Sequence, residues 1–137
     1  LQRLAAMAAQ ALGTGYDVEI IEKHHRMKLD SPSGTALMLY EAVSGAREGQ
    51  SPIVHGRQGR TEQRAMGEIG IHAVRGGTVT GEHEVGFYGN AEEILLVHRA
   101  ENRSLFAEGA VRAARFLAGR PAGLYSMQDV VADVLGI

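Results

Sequence analysis

Cysteine is absent from the 137-residue chain. Its absence excludes a disulfide framework, zinc–thiolate sites and thiol catalysis. It is compatible with a reducing cytoplasm, which is where we expect the protein to act. The chain also lacks any apolar run near the roughly 20 residues that a membrane span requires, and it does not open with a basic-then-apolar signal segment.

An excess of charge of one sign is also missing, since the formal net charge is -2. The chain therefore gives no electrostatic reason to expect nucleic acid or an anionic membrane as a partner. Apolar residues make up 45% and charged residues 22% of the chain, as in an ordinary globular domain. The first residue is Leu1, within a helical pattern, so we expect this sequence to be a piece of a longer protein.

The apolar periodicity predicts an α+β layered domain. Helices are expected over 1–12, 35–44, 105–118 and 128–135, and strands over 16–22, 69–74, 78–88 and 93–98. Gly76-Gly77 is a two-residue hairpin signal, and Gly89-Asn90 is a second turn signal. Gly45 is expected to end the second helix, and Ser126 with Asp129 resembles a capping box at the start of the last one. A polar loop is expected from about Gly45 to Gly67.

Most of the chemistry lies in one segment, Glu22–Ala36, which holds two histidines, three cations and a Ser33-Gly34-Thr35 helix start. Helix N-termini offer unpaired N–H groups and a partial positive charge, and they therefore bind carboxylates or phosphates. Gly34 allows a ligand close to the backbone, and Lys28 with one histidine could neutralise a second anionic group. The segment predicts a site for a small, multiply negative molecule beside proton donors.

Several other interpretations of these residues stay open at this point. The helix start could simply cap a helix, with the histidines as ordinary surface residues. It could equally hold a phosphate ester, with Lys28 as a nucleophilic amine. A metal site built from His24, His25, His83 and His98 is disfavoured, because adjacent histidines on an extended segment point to opposite sides. His83 and His98 are expected to make structural hydrogen bonds.

The same segment, Glu-x-His-His-x-x-Lys-x-Asp-x-Pro-Ser-Gly-Thr-Ala, closely resembles the signature of the 4-hydroxy-tetrahydrodipicolinate reductases. Further matches follow in the family's order and together cover nearly the whole chain: Gly81–Val85, His98–Ala100 with Arg103, Phe106–Ala110 and Gly123–Val130. The resemblance implies an oxidoreductase of lysine and diaminopimelate biosynthesis. Its substrate would be a cyclic dicarboxylate, reduced with loss of water.

Residue roles follow from this resemblance at matching positions only. His24 matches the position that acts in the family as proton donor and acceptor, and Lys28 matches a proton donor. His25, Gly34 and Thr35 match substrate contacts, with the two helix-start residues holding a carboxylate. These implied roles agree with the anion site expected from the residues themselves.

The resemblance also implies NADPH or NADH as the cofactor of the intact enzyme. Members of the family begin with a dinucleotide-binding Rossmann half that carries a glycine-rich loop. Gly13-Thr14-Gly15 lacks the third glycine of that fingerprint and precedes a strand instead of following one. We therefore expect the dinucleotide-binding domain to be largely absent, and we expect this chain alone to bind no cofactor and to be inactive.

Residues 1–137 are accordingly expected to form a single substrate-binding and tetramerisation domain, the C-terminal domain of a Rossmann-type reductase. Its mixed, antiparallel-rich sheet would be covered on one face by helices 35–44 and 105–118. The other face would lie in a subunit interface, and the family resemblance implies a tetramer. The strand residues expected to spread over both faces are Ile71, Val79, Val85, Phe87, Ile94, Leu96 and Val97. A non-catalytic oligomerisation module is the alternative from another class of function.

Overall fold

The computed structural model describes residues 1–49, 51–60 and 62–137, which form two compact units, Leu1–Glu101 and Asn102–Ile137. The first unit contains two helices and five strands, and the second contains two helices. The elements are α1 (Gln2–Leu12), β1 (Asp17–His24), α2 (Gly34–Ala46), β2 (Ile53–His55), β3 (Ile69–Arg75), β4 (Gly81–Tyr88), β5 (Glu93–Ala100), α3 (Ser104–Leu117) and α4 (Met127–Leu135).

The five strands form one mixed sheet in the order β2-β3-β1-β4-β5. β3 is parallel to both β1 and β2, whereas β4 is antiparallel to both β1 and β5. The expected mixed sheet is confirmed, and its two antiparallel strand pairs contain more paired residues than its two parallel ones. The Gly89-Asn90 turn joins the paired strands β4 and β5.

The prediction of a hairpin at Gly76-Gly77 is wrong. β1 lies between β3 and β4 and pairs with both of them, so the two glycines carry the chain across the end of β1. The Gly76 amide donates to the His24 carbonyl at 3.0 Å, and the Arg26 amide donates to the Gly77 carbonyl at 3.2 Å. The turn therefore holds the segment that leaves β1, which is the segment with the predicted site.

One face of the sheet packs against helices and forms the apolar core of the first unit. Its strand residues are Val18, Ile20, Ile69, Ile71, Val85 and Phe87, and each is at most 2% exposed. α2 covers these residues with Ala36, Leu39 and Val43, which recur at helical spacing. α1 adds Ala5 and Ala9, whose small side chains allow close packing. The helix layer in the first unit is therefore α1 with α2, and coverage by residues 105–118 stays a prediction.

The expected spread of apolar strand residues over both faces is largely wrong. The register pairs Ile20 with Ile71 and Val85, and it pairs Val85 with Leu96 and Phe87 with Ile94. Five of the seven expected residues therefore share the helix-covered face, because paired residues point to the same side of a sheet. Val97 lies on the opposite face, and Val79 lies in the turn before β4.

Two element boundaries also differ from the prediction. α2 passes through Gly45 and ends at Ala46, because its last turn packs on the core through Val43. The predicted loop from Gly45 to Gly67 contains the short strand β2, and its residues Gln50 and Thr61 lie outside the described residues. In the described part of the chain, no helix is long and apolar enough to cross a membrane.

The second unit consists of α3 packed against α4. The Phe116 and Tyr125 rings meet edge to face at 5.7 Å, and the Arg120 guanidinium lies 4.3 Å from the Phe116 ring centre. The predicted capping box at the start of α4 is confirmed. Ser126 accepts a hydrogen bond from the Asp129 amide, and the Asp129 carboxylate accepts one from the Ser126 amide.

Polar residues interrupt the core face at one end of the sheet. Glu22 of β1 is paired in register with His83 of β4, and they are 0% and 6% exposed. The His83 Nε2 shares a hydrogen bond of 3.0 Å with the Ser33 hydroxyl, as expected for a structural histidine. Burial lowers the pKa of His83 from 6.5 to about 4, and the neighbouring His24 acts in the same direction. His83 is therefore neutral at pH 7.

We predict that His83 makes this chain acid-sensitive. The unfolded chain takes up a proton on His83 near pH 6.5, whereas the folded chain does so only near pH 4. Folding stability is therefore lost as the pH falls through this window, by at most about 3 kcal/mol. His83→Gln keeps a hydrogen-bonding group for Ser33 and should make the free energy of unfolding less dependent on pH. Urea unfolding at several values between pH 7 and pH 4 measures the free energy of unfolding of the wild type and the variant. His55→Gln, at an exposed histidine, is the control. If the free energy of unfolding changed equally with pH in wild type and His83→Gln, the prediction would be contradicted.

Candidate functional site

The candidate site lies where β1 ends and α2 begins. Along the core face, β1 changes from apolar Val18 and Ile20 to Glu22 and His24, and β4 changes from apolar residues to His83. The body of α2 covers the apolar part of this face, and hydrogen bonds from Ser33 link the start of α2 to the polar part. This division places titratable side chains beside a helix N-terminus.

The helix start has the form that the Ser-Gly-Thr sequence predicts. Ser33 is the N-cap residue, and its hydroxyl accepts from the Ala36 amide at 3.2 Å. Gly34 and Thr35 are the next two residues, exposed and half-buried respectively. Within the described residues, neither of their amides donates to another protein group. Both N–H groups can therefore donate hydrogen bonds to an anion from solvent.

The Glu22 carboxylate joins the two sides of the site. Oε1 accepts from the Ser33 amide at 3.0 Å and from Arg75 Nη2 at 2.6 Å. Oε2 lies 2.6 Å from His24 Nδ1 and 2.7 Å from Arg75 Nη1. Burial opposes ionisation of Glu22, but the bonds from Arg75, His24 and Ser33 outweigh it and hold the pKa of this carboxyl below its ordinary value. One carboxylate therefore fixes the end of β1, the start of α2 and the end of β3.

His24 is the last residue of β1, and His25 and Lys28 follow it in the segment that leads to α2. His24 is half-buried, and its ring meets that of His83 edge to face at 5.0 Å. His25 is half-buried, and its carbonyl accepts from the Lys28 amide at 3.1 Å. The Lys28 ammonium donates to both oxygens of Asp30, at 2.7 and 2.9 Å. Asp30 takes two of the three N–H donors of this ammonium, so an incoming carboxylate would compete with Asp30 for it.

Two residues of the site were missed at the sequence level. Glu22 belongs to the quoted signature, but nothing in the sequence says that its carboxylate is buried. Arg75 was not singled out, although an arginine directly before Gly76-Gly77 at a strand end was an available signal. Its importance depends on the parallel pairing of β3 with β1, in which Arg75 is opposite His24. A hairpin between β3 and β4 would have placed it elsewhere.

The arrangement can bind an anion and move a proton beside it. The N–H groups of α2 and the Lys28 ammonium supply positive charge, and His24 supplies a titratable nitrogen. Among the residues that the structure describes, no three histidine or acidic side chains are arranged to hold a metal ion. Gly13–Gly15 forms a short turn that leads into β1, so it does not have the strand-to-helix setting of a dinucleotide pyrophosphate site.

Comparisons with known proteins agree on one family. Residues 1–131 match the family model described as "Dihydrodipicolinate reductase, C-terminus". The chain is 56% identical over 127 residues to the 4-hydroxy-tetrahydrodipicolinate reductase of Rubrobacter xylanophilus, covering 91% of this chain and 48% of that protein. It is 52% identical over 128 residues to the reductase of Caldanaerobacter subterraneus subsp. tengcongensis, covering 93% and 51%. The chain thus spans about half the length of these relatives.

Among solved structures, the chain is similar to the dipicolinate-bound dihydrodipicolinate reductase from Paenisporosarcina sp. TG-14. The TM-score is 0.61 and the identity 29%, over 80% of this chain and 43% of that one. The architecture of that protein therefore agrees with the α+β fold described above. By its signature segment, its fold and its match to the C-terminal family model, this chain belongs to the dihydrodipicolinate reductase family.

Proposed function

We propose that this chain is the substrate-binding half of a 4-hydroxy-tetrahydrodipicolinate reductase and that it binds a cyclic dicarboxylate at the start of α2. The observation that carries the proposal is the pair of amides at Gly34 and Thr35, which donate to no other group among the described residues and follow His24 and Lys28 in the chain. The dipicolinate named for the Paenisporosarcina protein is a planar ring with two carboxylates. One carboxylate would accept from the two amides, and the other would lie near the cations of the preceding segment.

In this proposal the residues of the site have two tasks. His25, Gly34 and Thr35 bind the substrate and fix its orientation. His24 acts as proton donor and acceptor, and Lys28 acts as a second proton donor, in the reduction that yields tetrahydrodipicolinate with loss of water. A substrate carboxylate that competes with Asp30 would bring the Lys28 ammonium into contact with the substrate. The preformed positive charge suits both the ground-state dicarboxylate and the proton transfer.

A nicotinamide dinucleotide, NADPH or NADH, would supply the hydride in the intact enzyme. The residues of this chain do not fit its pyrophosphate, since the only Gly-x-Gly turn before a strand is Gly13–Gly15. The cofactor site is therefore assigned to residues outside this sequence, and this chain alone is expected to be inactive. Its contribution is to bind the dicarboxylate and to hold protons at defined atoms.

We predict that the chain binds pyridine-2,6-dicarboxylate through the Gly34 amide. Gly34→Pro removes that N–H at the first helical position, where proline is tolerated, and the preceding Ser33 already has extended backbone angles. Loss of one charge-assisted hydrogen bond, about 1.5–3 kcal/mol, should weaken binding about tenfold to a hundredfold. Isothermal titration calorimetry measures the affinity.

Gly34→Ala is the matched control, because it keeps the amide and its added Cβ meets no atom within 4 Å. Its affinity should stay well above that of Gly34→Pro, since it keeps the donor. Equal affinities for the alanine and proline variants would contradict an anion at this amide. The phosphate alternative is tested in the same titration, since a site built for two carboxylates should prefer the dicarboxylate to a monophosphate ester.

Turnover can be tested after joining this chain to the N-terminal half of the Rubrobacter xylanophilus relative. We predict that His24→Ala and Lys28→Ala each lower kcat by about 10²–10⁴-fold, the usual contribution of general acid–base catalysis, with smaller effects on dicarboxylate binding. His25→Ala should mainly raise KM, because His25 is assigned to binding. The unsubstituted chimera is the reference, and equal effects at all three positions would contradict this division of roles.

We further propose that the outer face of the sheet joins copies of the chain, most simply into the tetramer that the family resemblance implies. This face carries Val74, Leu95 and Val97, which are 48%, 41% and 39% exposed. Charged residues such as Glu84 and Arg99 lie between them, so the face is mixed instead of uniformly apolar. Burying the apolar groups against another copy removes them from water, and such symmetric pairing is the commonest assembly.

Light scattering at micromolar concentration should therefore give a mass above that of the 14.7 kDa monomer. Val97→Glu places a charge on the outer face and should lower the mass, while pyridine-2,6-dicarboxylate binding is retained. Met7→Glu, at a 59% exposed position on α1, is the control and should leave the mass unchanged. A monomeric wild type would rule out the interface.

A further inference from the structure

The contacts of Glu22 determine which nitrogen of His24 carries its proton. An ionised carboxylate only accepts hydrogen bonds, so a ring nitrogen 2.6 Å from Glu22 Oε2 must be a donor. That nitrogen is Nδ1. The side chain of Glu22 is completely buried, and its four hydrogen bonds from Ser33, His24 and Arg75 keep it ionised at neutral pH. A neutral His24 therefore has its lone pair at Nε2.

The surroundings of His24 leave Nε2 available. In the described part of the chain, no protein group hydrogen bonds to this atom. A side-chain carbon at Gly81 would lie only 3.2 Å from it, so the glycine of β4 keeps this side of the ring open. The structure places two other titratable or charged groups against His24, namely His83, which is neutral above its pKa of about 4, and Arg75, which is opposite His24 in the sheet.

We propose that Glu22, which accepts two hydrogen bonds from Arg75, is a positioning residue. It holds His24 as the Nδ1–H tautomer and directs Nε2 toward the substrate. The proposal rests on the proposed function, in which His24 donates and accepts the proton. A histidine oriented in this way can give up a proton at Nε2 while Nδ1 keeps its own. Arg75 acts indirectly, because its two bonds fix the plane of the Glu22 carboxylate.

Glu22→Gln should reverse the tautomer. The single amide oxygen should take the place of Oε1, because Oε1 accepts from two fixed donors, Ser33 N–H and Arg75 Nη2. The NH2 group then takes the place of Oε2, where it loses the hydrogen bond from Arg75 Nη1 and can donate to His24. An NH2 group donates, so His24 Nδ1 must become the acceptor and Nε2 must carry the hydrogen. This is also the tautomer that an unconstrained neutral histidine prefers. The nitrogen that can accept a proton would then be Nδ1, which faces residue 22 and not the substrate.

The test is nitrogen-detected NMR of the 137-residue chain labelled with ¹⁵N-histidine, with the His24 signals assigned from their loss in His24→Gln. At a pH where the His24 ring of the wild type is neutral, Nδ1 should have a pyrrole-type shift and Nε2 a pyridine-type shift. The opposite pattern in the wild type would overturn the proposal without any variant. In Glu22→Gln the two shifts should exchange, and a variant that folds and keeps the wild-type pattern would also overturn it.

Glu19→Gln is the matched control. Glu19 lies on the same strand and the opposite face, where it also bonds a histidine, His72 Nε2 at 2.7 Å, and an arginine, Arg57 at 2.6 Å. Its substitution should change the signals of His72 and leave those of His24 as they are. A general effect of losing a β1 carboxylate would change both histidines in both variants and would contradict a specific role for Glu22.

Turnover in the chimera separates this proposal from the function on which it rests. Glu22→Gln should lower kcat by about 10²-fold or more, with little change in KM, since the lost tautomer affects proton transfer and not binding. Glu19→Gln should keep the full kcat. If His24→Ala keeps full kcat, the proposed function fails even when the tautomer is as expected. If His24→Ala is impaired and Glu22→Gln is not, the positioning role alone fails.

Discussion

The buried ion pair between Glu22 and Arg75 is the constraint on which the rest of the first unit depends. A carboxylate without exposed surface is costly unless every lone pair is used. Glu22 meets this condition with donors from three elements, namely β1 itself, the start of α2 and the end of β3. The relative positions of these elements are therefore fixed by polar geometry at one end and by apolar packing at the other.

The sequence was sufficient to predict the elements whose signals are local. Ser33-Gly34-Thr35 begins a helix, Ser126 and Asp129 form a capping box, and Gly89-Asn90 turns between paired strands. The residues of the signature segment also lie together, because only the short stretch between β1 and α2 separates them. Local hydrogen-bonding chemistry determines each of these features, so neighbouring residues suffice to identify them.

The features that escaped prediction depend on which strands are neighbours. Gly76-Gly77 has the composition of a hairpin turn, but β1 from earlier in the chain takes the place between β3 and β4. That placement puts Arg75 beside Glu22, and it puts the apolar residues of β4 and β5 mainly on the helix side. The helix α2 continues past Gly45 for another reason that local sequence does not show: burial of Val43 in the core outweighs the weak helix propensity of one glycine.

The position of β1 in the centre of the sheet has a consequence for the order in which the protein can form. During synthesis Glu22 emerges first, whereas Arg75 follows 53 residues later, and His83 follows Ser33 by 50. Until then the carboxylate lacks its arginine partner, and β1 cannot be buried without cost. Pairings this distant along the chain form slowly. The fifteen-residue signature, although contiguous, should therefore be functionless as a peptide and become a site only after most of the sheet exists.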